Sequence, residues 1–331
     1  MIQSQLNFYE NDKYKDSISE NQVSKFYQVL HESLHQVLSD RVSIGEILMF
    51  GQPKGVKDET RKFLIKDQEN RKIAVALCSS PASPKIIARG VESSYLAKQR
   101  VGSKLGYHIL GALCEGEVDE LSYAVLPYCQ PLSDSRLLWY AQRFLLRPSL
   151  FKWLTCITEA TVTKVNSDEI EENFIVPLQH LVELETITDR VRVAALDTLE
   201  RLAKGTWHPC HTLMHGDLWK GNVLIAPPSL GSAENRPWQE RFVIIDWPGG
   251  MIKGYGIYDL IRLAQSFKLG KKQLRKQVNA HCEILDCEFT DARCHLLAAL
   301  SYRGMHLENF PVSRFAKMAD SCLKTLEEIG G

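Results

Sequence analysis

Three side chains with oxygen donors stand at the ends of apolar runs. Asp217 and Asn222 lie within Leu-Met-His-Gly-Asp-Leu-Trp-Lys-Gly-Asn-Val-Leu-Ile, from Leu213 to Ile225, and Asp246 ends the run that begins at Phe242. The flanking runs are short and apolar, so the pattern predicts polar loops clamped by buried strands. Val243, Ile244 and Ile245 deliver Asp246, and Trp247, Pro248, Gly249 and Gly250 follow at once, a strand with a turn at its exit. Two carboxylates and an amide at strand edges suit phosphoryl transfer: one acid takes or orients a hydroxyl proton, and two oxygen ligands hold Mg²⁺. His-Gly-Asp alone is also an ordinary turn. What carries the chemical reading is the combination of the five-residue offset from Asp217 to Asn222, the second Asp at a strand end and the Gly-rich exit.

His215-Gly216-Asp217, then Asn222, then an apolar strand ending in Asp246, resembles the catalytic and metal-binding loops of the aminoglycoside phosphotransferase and choline kinase family. The fructosamine kinases are close to that family and the protein kinases more distant. The resemblance implies Asp217 as catalytic base, Asn222 and Asp246 as Mg²⁺ ligands, and His215 as the residue that braces the loop. The stretch from Gly254 to Asp259 resembles the family's element after the metal site, where Asp259 opens a helix and ties back to the catalytic loop. For the whole chain it implies an α+β, bilobal protein-kinase-like fold with a small antiparallel-sheet N-lobe and a larger, mainly helical C-lobe. It also implies ATP, or another nucleoside triphosphate, as donor, with Mg²⁺.

The chain has 331 residues, long for one core, so a two-part arrangement is expected. Apolar residues at Val23, Phe26, Tyr27, Leu30, Leu34 and Leu38 recur at helical spacing, which makes 1–40 a helical extension. Residues 41–128 are then the nucleotide-binding lobe and 129–331 the catalytic and acceptor-binding lobe. Lys plus Arg equals Asp plus Glu, 40 each, so no global basic field draws nucleic acid or an anionic membrane. The start of the chain lacks the basic and apolar regions of a secretory signal, and no run reaches the roughly eighteen apolar residues of a membrane span. The nine cysteines are scattered and odd in number, which suits reduced thiols and a cytoplasmic protein.

Strands are expected from Ile44 to Gly51, Lys62 to Lys66 and Lys72 to Cys78, the last two as a hairpin. On the family pattern Gly51 to Gly55 resembles the phosphate-covering loop. A lysine is expected at the end of the third strand, and Cys78, which cannot supply its charge, stands there; Lys66 and Lys85 are the nearby candidates to reach in. A helix from Ile86 to Gly102 carries Glu92, the acid that would orient that lysine. Further strands are expected from Tyr107 to Leu113 and Ser122 to Pro127, with an acidic turn from Glu115 to Glu120 between them. Pro127, Tyr128 and Cys129 resemble the segment joining the lobes, whose backbone groups hold adenine.

Beyond Ser133 the pattern is helical, with breaks expected at Pro148, Pro177 and near Pro311. Tyr302, Arg303 and His306 are candidates for an acceptor wall, and Trp219 and Trp247 neighbour the catalytic groups in sequence. Only a few residues separate Asp246 from Asp259, too short a platform for a peptide, which favours a small-molecule acceptor such as a sugar, amino sugar or amino alcohol. Cys78 also suits a catalytically impaired nucleotide-binding or scaffold protein on the kinase fold. An atypical kinase acting on a protein is the other alternative.

Overall fold

The computed structural model describes residues 25, 28, 29, 44–50, 60–230, 233 and 235–330. Most of the expected helical extension, and the loop from Gly51 to Gly55, therefore lie outside the described residues. The chain divides into two compact units. One takes in the described residues up to Ala88 together with Leu113–Leu126; the other takes in Arg89–Ala112 and the described residues from Pro127 on.

The first unit is a five-stranded sheet of β1 (Ile44–Phe50), β2 (Arg61–Asp67), β3 (Lys72–Cys78), β4 (Cys114–Val118) and β5 (Leu121–Pro127), in the order β1-β2-β3-β5-β4. The pairs β1–β2, β2–β3 and β4–β5 are antiparallel. Alternation sets the register of the β2–β3 hairpin: Phe63 faces Ala76 and Ile65 faces Ala74, a large residue against a small one, all buried on one side. Val118, Leu121, Tyr123 and Val125 complete that core. The turn is held by Asp67, whose carboxylate accepts the Arg71 backbone N–H at 2.8 Å and its Nε–H at 2.7 Å.

Two expectations here are corrected. The acidic stretch from Glu115 is strand β4 rather than a turn, and the turn is only Asp119 and Glu120, both at positive φ (48° and 68°) as a tight hairpin requires. Glu115 and Glu117 are exposed on the sheet's edge strand, where charge blocks further pairing. The apolar run from Tyr107 to Leu113 forms no strand; His108, Ile109 and Leu110 are buried in the second unit through single backbone contacts, whereas Leu113 belongs to the first unit and donates its N–H to the Val125 carbonyl.

That unit begins with α1 (Ile86–Gly106), which spans the boundary. The sequence reading grouped this helix with the sheet, but its packing lies elsewhere. Ala97 belongs to the larger core, and the Trp153 indole N–H donates to the Leu105 carbonyl at 3.1 Å. Then follow β6 (Gln130–Pro131), α2 (Arg136–Thr161), β7 (Thr163–Lys164), α3 (Ser167–Ile170), a π-helical turn (Glu171–Ile175), α4 (Val176–Glu183), α5 (Asp189–Ala203), β8 (Cys210–Met214), β9 (Val223–Ile225), β10 (Phe242–Ile244), β11 (Met251–Tyr255), α6 (Tyr258–Ser266), α7 (Lys271–Ile284), α8 (Ala292–Met305) and α9 (Val312–Glu327). Two three-stranded sheets, β10-β9-β6 and β11-β8-β7, are embedded in these helices. Residues Cys294 to Leu300 of α8 are all buried, so α8 is apolar all round and forms the centre of the core.

Neither proline breaks its helix as expected. Pro148 lies inside the continuous α2 on its exposed side, where the carbonyl it leaves unpaired meets water, while Leu146, Leu150, Phe151 and Leu154 hold the buried face. Pro177 sits in the first turn of α4, directly after the π-helical turn. The carbonyl it deprives of a partner, that of Asn173, accepts the Tyr255 hydroxyl at 2.8 Å instead. The chain breaks between Glu183 and Asp189.

Candidate active site

Strand β8 is buried along its whole length and is fixed at its end by Thr161, whose hydroxyl accepts the Leu213 N–H at 2.9 Å. It delivers His215, Gly216 and Asp217 into a loop with two internal braces. The first is Asp259, buried in the first turn of α6, whose two oxygens accept the backbone N–H groups of His215 (2.6 Å) and Gly216 (3.1 Å). Burial raises the Asp259 carboxyl to about 6; the two N–H donors and the helix N-terminus favour its charged form.

The second brace is His215. Its Nε2–H donates to the Ile245 carbonyl at 2.9 Å and its Nδ1 accepts the Asp217 N–H at 3.2 Å, which defines a neutral imidazole with the proton on Nε2. Burial holds its pKa down at about 4, in keeping with that tautomer. The Trp247 ring packs on the imidazole at 4.5 Å between centroids. Gly216 has φ +82°, and a Cβ there would stand 2.5 Å from the Gly249 carbonyl oxygen, so only glycine fits.

Leu218, buried, anchors the loop, and the 3₁₀ turn Lys220–Asn222 leads into β9. Asn222 Nδ2 donates to the Asp217 carbonyl at 2.9 Å and lies 3.4 Å from its carboxylate Oδ2. The Asn222 carbonyl accepts the Ile245 N–H at 3.1 Å. The antiparallel pair β9–β10, with Val223 opposite Ile244, thus brings Asn222 to the same end of the hairpin as Asp246. Asp246 is exposed and takes φ +69°, the left-handed conformation, which turns the chain sharply as it leaves β10. The run Tyr107–Leu113 supports β10 from its other side: Ile244 N–H donates to the His108 carbonyl at 2.6 Å and Leu110 N–H to the Ile244 carbonyl at 3.0 Å.

These groups fit Mg²⁺ by their chemistry. The Asn222 amide directs its N–H₂ to Asp217, which leaves the amide oxygen for a metal ion, and the exposed residue Asp246 adds a carboxylate. Two hard oxygen ligands, with phosphate and water oxygens completing the shell, are how proteins commonly hold Mg²⁺. Among the described residues no group of three or more His, Cys, Asp and Glu side chains forms a metal cage of its own.

The sequence reading missed Arg262 and did not connect Arg303 with Asp217. Arg262, on α6, places Nη2 3.7 Å from Asp217 Oδ1, the carboxylate oxygen opposite the one facing Asn222. Arg303, on α8, lies over the Tyr258 ring at 5.4 Å, with Nη1 3.2 Å from the point where a Gly216 Cβ would stand. Burial pushes the Asp217 carboxyl above its ordinary value, while Arg262, Arg303 and the Asn222 amide pull it back. The spacing of Arg262 from Asp259, three residues or just under one helical turn, was the available signal.

No protein-family model matches the chain, and a search of curated proteins found no match. Solved structures do match. An apo thermostable mutant of aminoglycoside phosphotransferase APH(4)-Ia is 16% identical over 91% of this chain and 99% of its own, with a TM-score of 0.55. A variant of the same enzyme in a ternary complex with ADP and hygromycin B gives 0.54 at 15% identity over 91% and 98%. A protein provisionally named fructosamine-3-kinase, from Thermobifida fusca, gives 0.51 at 16% identity over 90% and 98%. The chain has the protein-kinase-like fold.

On that fold the remaining predicted residues are placed as follows. Cys78 is buried at the end of β3, its thiol pushed up to about 11 by burial and donating to the Ser79 carbonyl. Lys66 pairs with Glu46 at 3.1 Å and Lys85 pairs with Glu117. Glu92 is exposed on α1. Pro127 ends β5, Tyr128 follows it, and Cys129 is buried, its thiol raised to about 12. Trp219 is 37% exposed with its ring over Gly221, whereas Trp247 is buried, its indole N–H directed to the Ile244 carbonyl. Tyr302 stacks on His306 at 4.2 Å, and the His306 ring Nδ1 bonds the Tyr302 carbonyl, so of these three neighbours it is Arg303 that reaches the loop from His215 to Asn222. Gly51 and Gly55 lie outside the described residues. Among the described residues, no helix is long and apolar enough to cross a membrane.

Proposed function

We propose that the chain is a Mg²⁺-dependent phosphotransferase that moves the γ-phosphate of ATP, or another nucleoside triphosphate, to a hydroxyl of a small molecule. The observation that carries this reading is the placement of Asp217. One carboxylate oxygen faces the Asn222 amide, the other faces Arg262, and Asn222 is tied through Ile245 to the position of Asp246.

Asn222 and Asp246 would hold the Mg²⁺ that offsets charge on the phosphate oxygens. Asp217 accepts a hydrogen bond from the acceptor hydroxyl and takes its proton as the new P–O bond forms and the bond to the leaving diphosphate breaks. His215 and Asp259 fix the backbone on either side of Gly216, so that the base is positioned before the acceptor arrives.

A small acceptor is favoured over a peptide by the segment after Asp246. It is a turn from Trp247 to Gly250 followed by β11, which pairs with β8 from Met251 opposite Met214 to Tyr255 opposite His211. After that turn the segment is taken up by the sheet strand, and it offers no long platform. A second reading, a nucleotide-binding scaffold, draws on Cys78 and on the engagement of Lys66 and Lys85 with carboxylates. Incubation with γ-labelled ATP or GTP, Mg²⁺ and a metabolite pool separates the readings. Label in a small molecule supports transfer to a metabolite, label in polypeptide supports a protein acceptor, and nucleotide binding without transfer supports the scaffold.

A further inference from the structure

We propose that Arg262 and Arg303 form an oxyanion clamp that holds a phosphate or carboxylate group against Asp217. The assignment of a catalytic role to the clamp rests on the reading of Asp217 as the base, but the anion site itself does not.

The two guanidinium groups come from different helices, α6 and α8, and meet at the catalytic loop. Arg262 stands at Asp217 Oδ1 with a separation of 3.7 Å, longer than the 2.7–2.9 Å of a closed charge-assisted hydrogen bond. Arg303 lies against the backbone of both functional loops: its Nη1 is 3.2 Å from the Cβ point of Gly216, beside the base, and 3.7 Å from that of Gly249, three residues after Asp246. None of the described residues offers Arg303 a hydrogen-bond acceptor, and its Nε is buried unpaired.

The side-chain oxygens of Asp259 and Tyr258 are already engaged. Both Asp259 oxygens accept backbone N–H groups, and the Tyr258 hydroxyl is directed to the Met318 sulfur at 3.5 Å. Tyr258 instead presents its ring face to Arg303, which holds the guanidinium plane without using its N–H donors. Lys220, the cation inside the catalytic loop, points away, over the Trp139 ring at 5.2 Å. Two planar forks of N–H donors, one beside the Asp217 carboxylate without fully bonding it and one beside the Gly216 and Gly249 backbone, match the geometry of a phosphate or carboxylate oxygen set. Such an anion comes either from the γ-phosphate of the donor or from a charged group on the acceptor.

The test is isothermal titration of the full chain with inorganic phosphate in the absence of nucleotide and Mg²⁺, with parent protein, Arg262→Met, Arg303→Met and Arg303→Lys. Saturable binding is expected, weakened about 10- to 100-fold by each methionine and less by the lysine. Thermal melts of each variant confirm folding. A second titration in the presence of Mg²⁺ and AMP-PNP locates the source: displacement assigns the clamp to the donor's γ-phosphate, and retained binding assigns it to an anionic acceptor. Absence of saturable phosphate binding to the parent, or equal affinity in folded methionine variants, overturns the clamp. A chain that binds phosphate in this way yet transfers none overturns the proposed activity and leaves the clamp standing.

Discussion

The Asn222 amide donates to Asp217 twice over, to the backbone carbonyl at 2.9 Å and toward the carboxylate at 3.4 Å, so the proposed metal ligand also orients the proposed base. Substitution of the two therefore separates two functions. Asp217→Asn keeps the shape and the contact but removes the proton acceptor, and kcat is expected to fall about 10²- to 10⁴-fold with nucleotide affinity unchanged. Asn222→Ala is expected to lose both metal affinity and turnover. Steady-state kinetics beside nucleotide titrations check both; an Asp217→Asn protein as fast as the parent contradicts the assignment of the base.

Asp259 is predicted to matter for stability before it matters for chemistry. Its removal as Asp259→Ala leaves the buried N–H groups of His215 and Gly216 without acceptors. The expected loss is roughly 2–5 kcal/mol in urea unfolding. Asp259→Asn retains one acceptor and is expected to lose less.

Gly216 tolerates no side chain. With φ +82° and a Cβ point 2.5 Å from a backbone oxygen, Gly216→Ala must displace either Asp217 or the Gly249 turn. Reduced thermal stability together with a fall in kcat is expected. A variant with parental melting temperature and rate would show that the loop is more adaptable than its geometry implies.

The pH dependence of stability follows from four buried neutral histidines. His108, His215, His281 and His295 are each held at about 4 by burial, below the ordinary 6.5 of an unfolded chain. Between those values the unfolded chain binds more protons than the folded one, so stability is full above pH 6.5 and is lost as the pH falls toward 4. Asp259, raised to about 6, acts in the opposite sense: its contribution is present below 3.8 and lost as pH rises through 6. Four groups outweigh one, and the melting temperature is expected to drop between pH 6.5 and 4. His295→Met, which removes one buried imidazole, is expected to make that drop shallower.

Much of this arrangement was legible in the sequence where local pattern and local structure coincide. The β2–β3 hairpin follows from alternation around a polar turn, and the catalytic loop from its turn residues between apolar runs. The acidic strand β4 was misread because an edge strand carries charge for reasons its own composition conceals. The prolines misled because what satisfies their orphaned carbonyls, solvent for Pro148 and the Tyr255 hydroxyl for Pro177, comes from outside the helix. Arg262 and Arg303 were invisible as a pair because 40 residues of intervening chain separate them, and only the packing of α6 with α8 brings both to the loop that carries Asp217.

On the proposed reading, Asn222 and Asp246 form a Mg²⁺ site for a nucleotide beside Asp217. Calorimetric binding of AMP-PNP with and without Mg²⁺, in the parent, Asp217→Asn and Asp246→Ala proteins, decides it. Mg²⁺-dependent binding is expected in the parent and in Asp217→Asn, with the Mg²⁺ dependence abolished in Asp246→Ala. Nucleotide binding by the parent that is indifferent to Mg²⁺, or an Asp246→Ala protein that keeps the full Mg²⁺ effect, would contradict it.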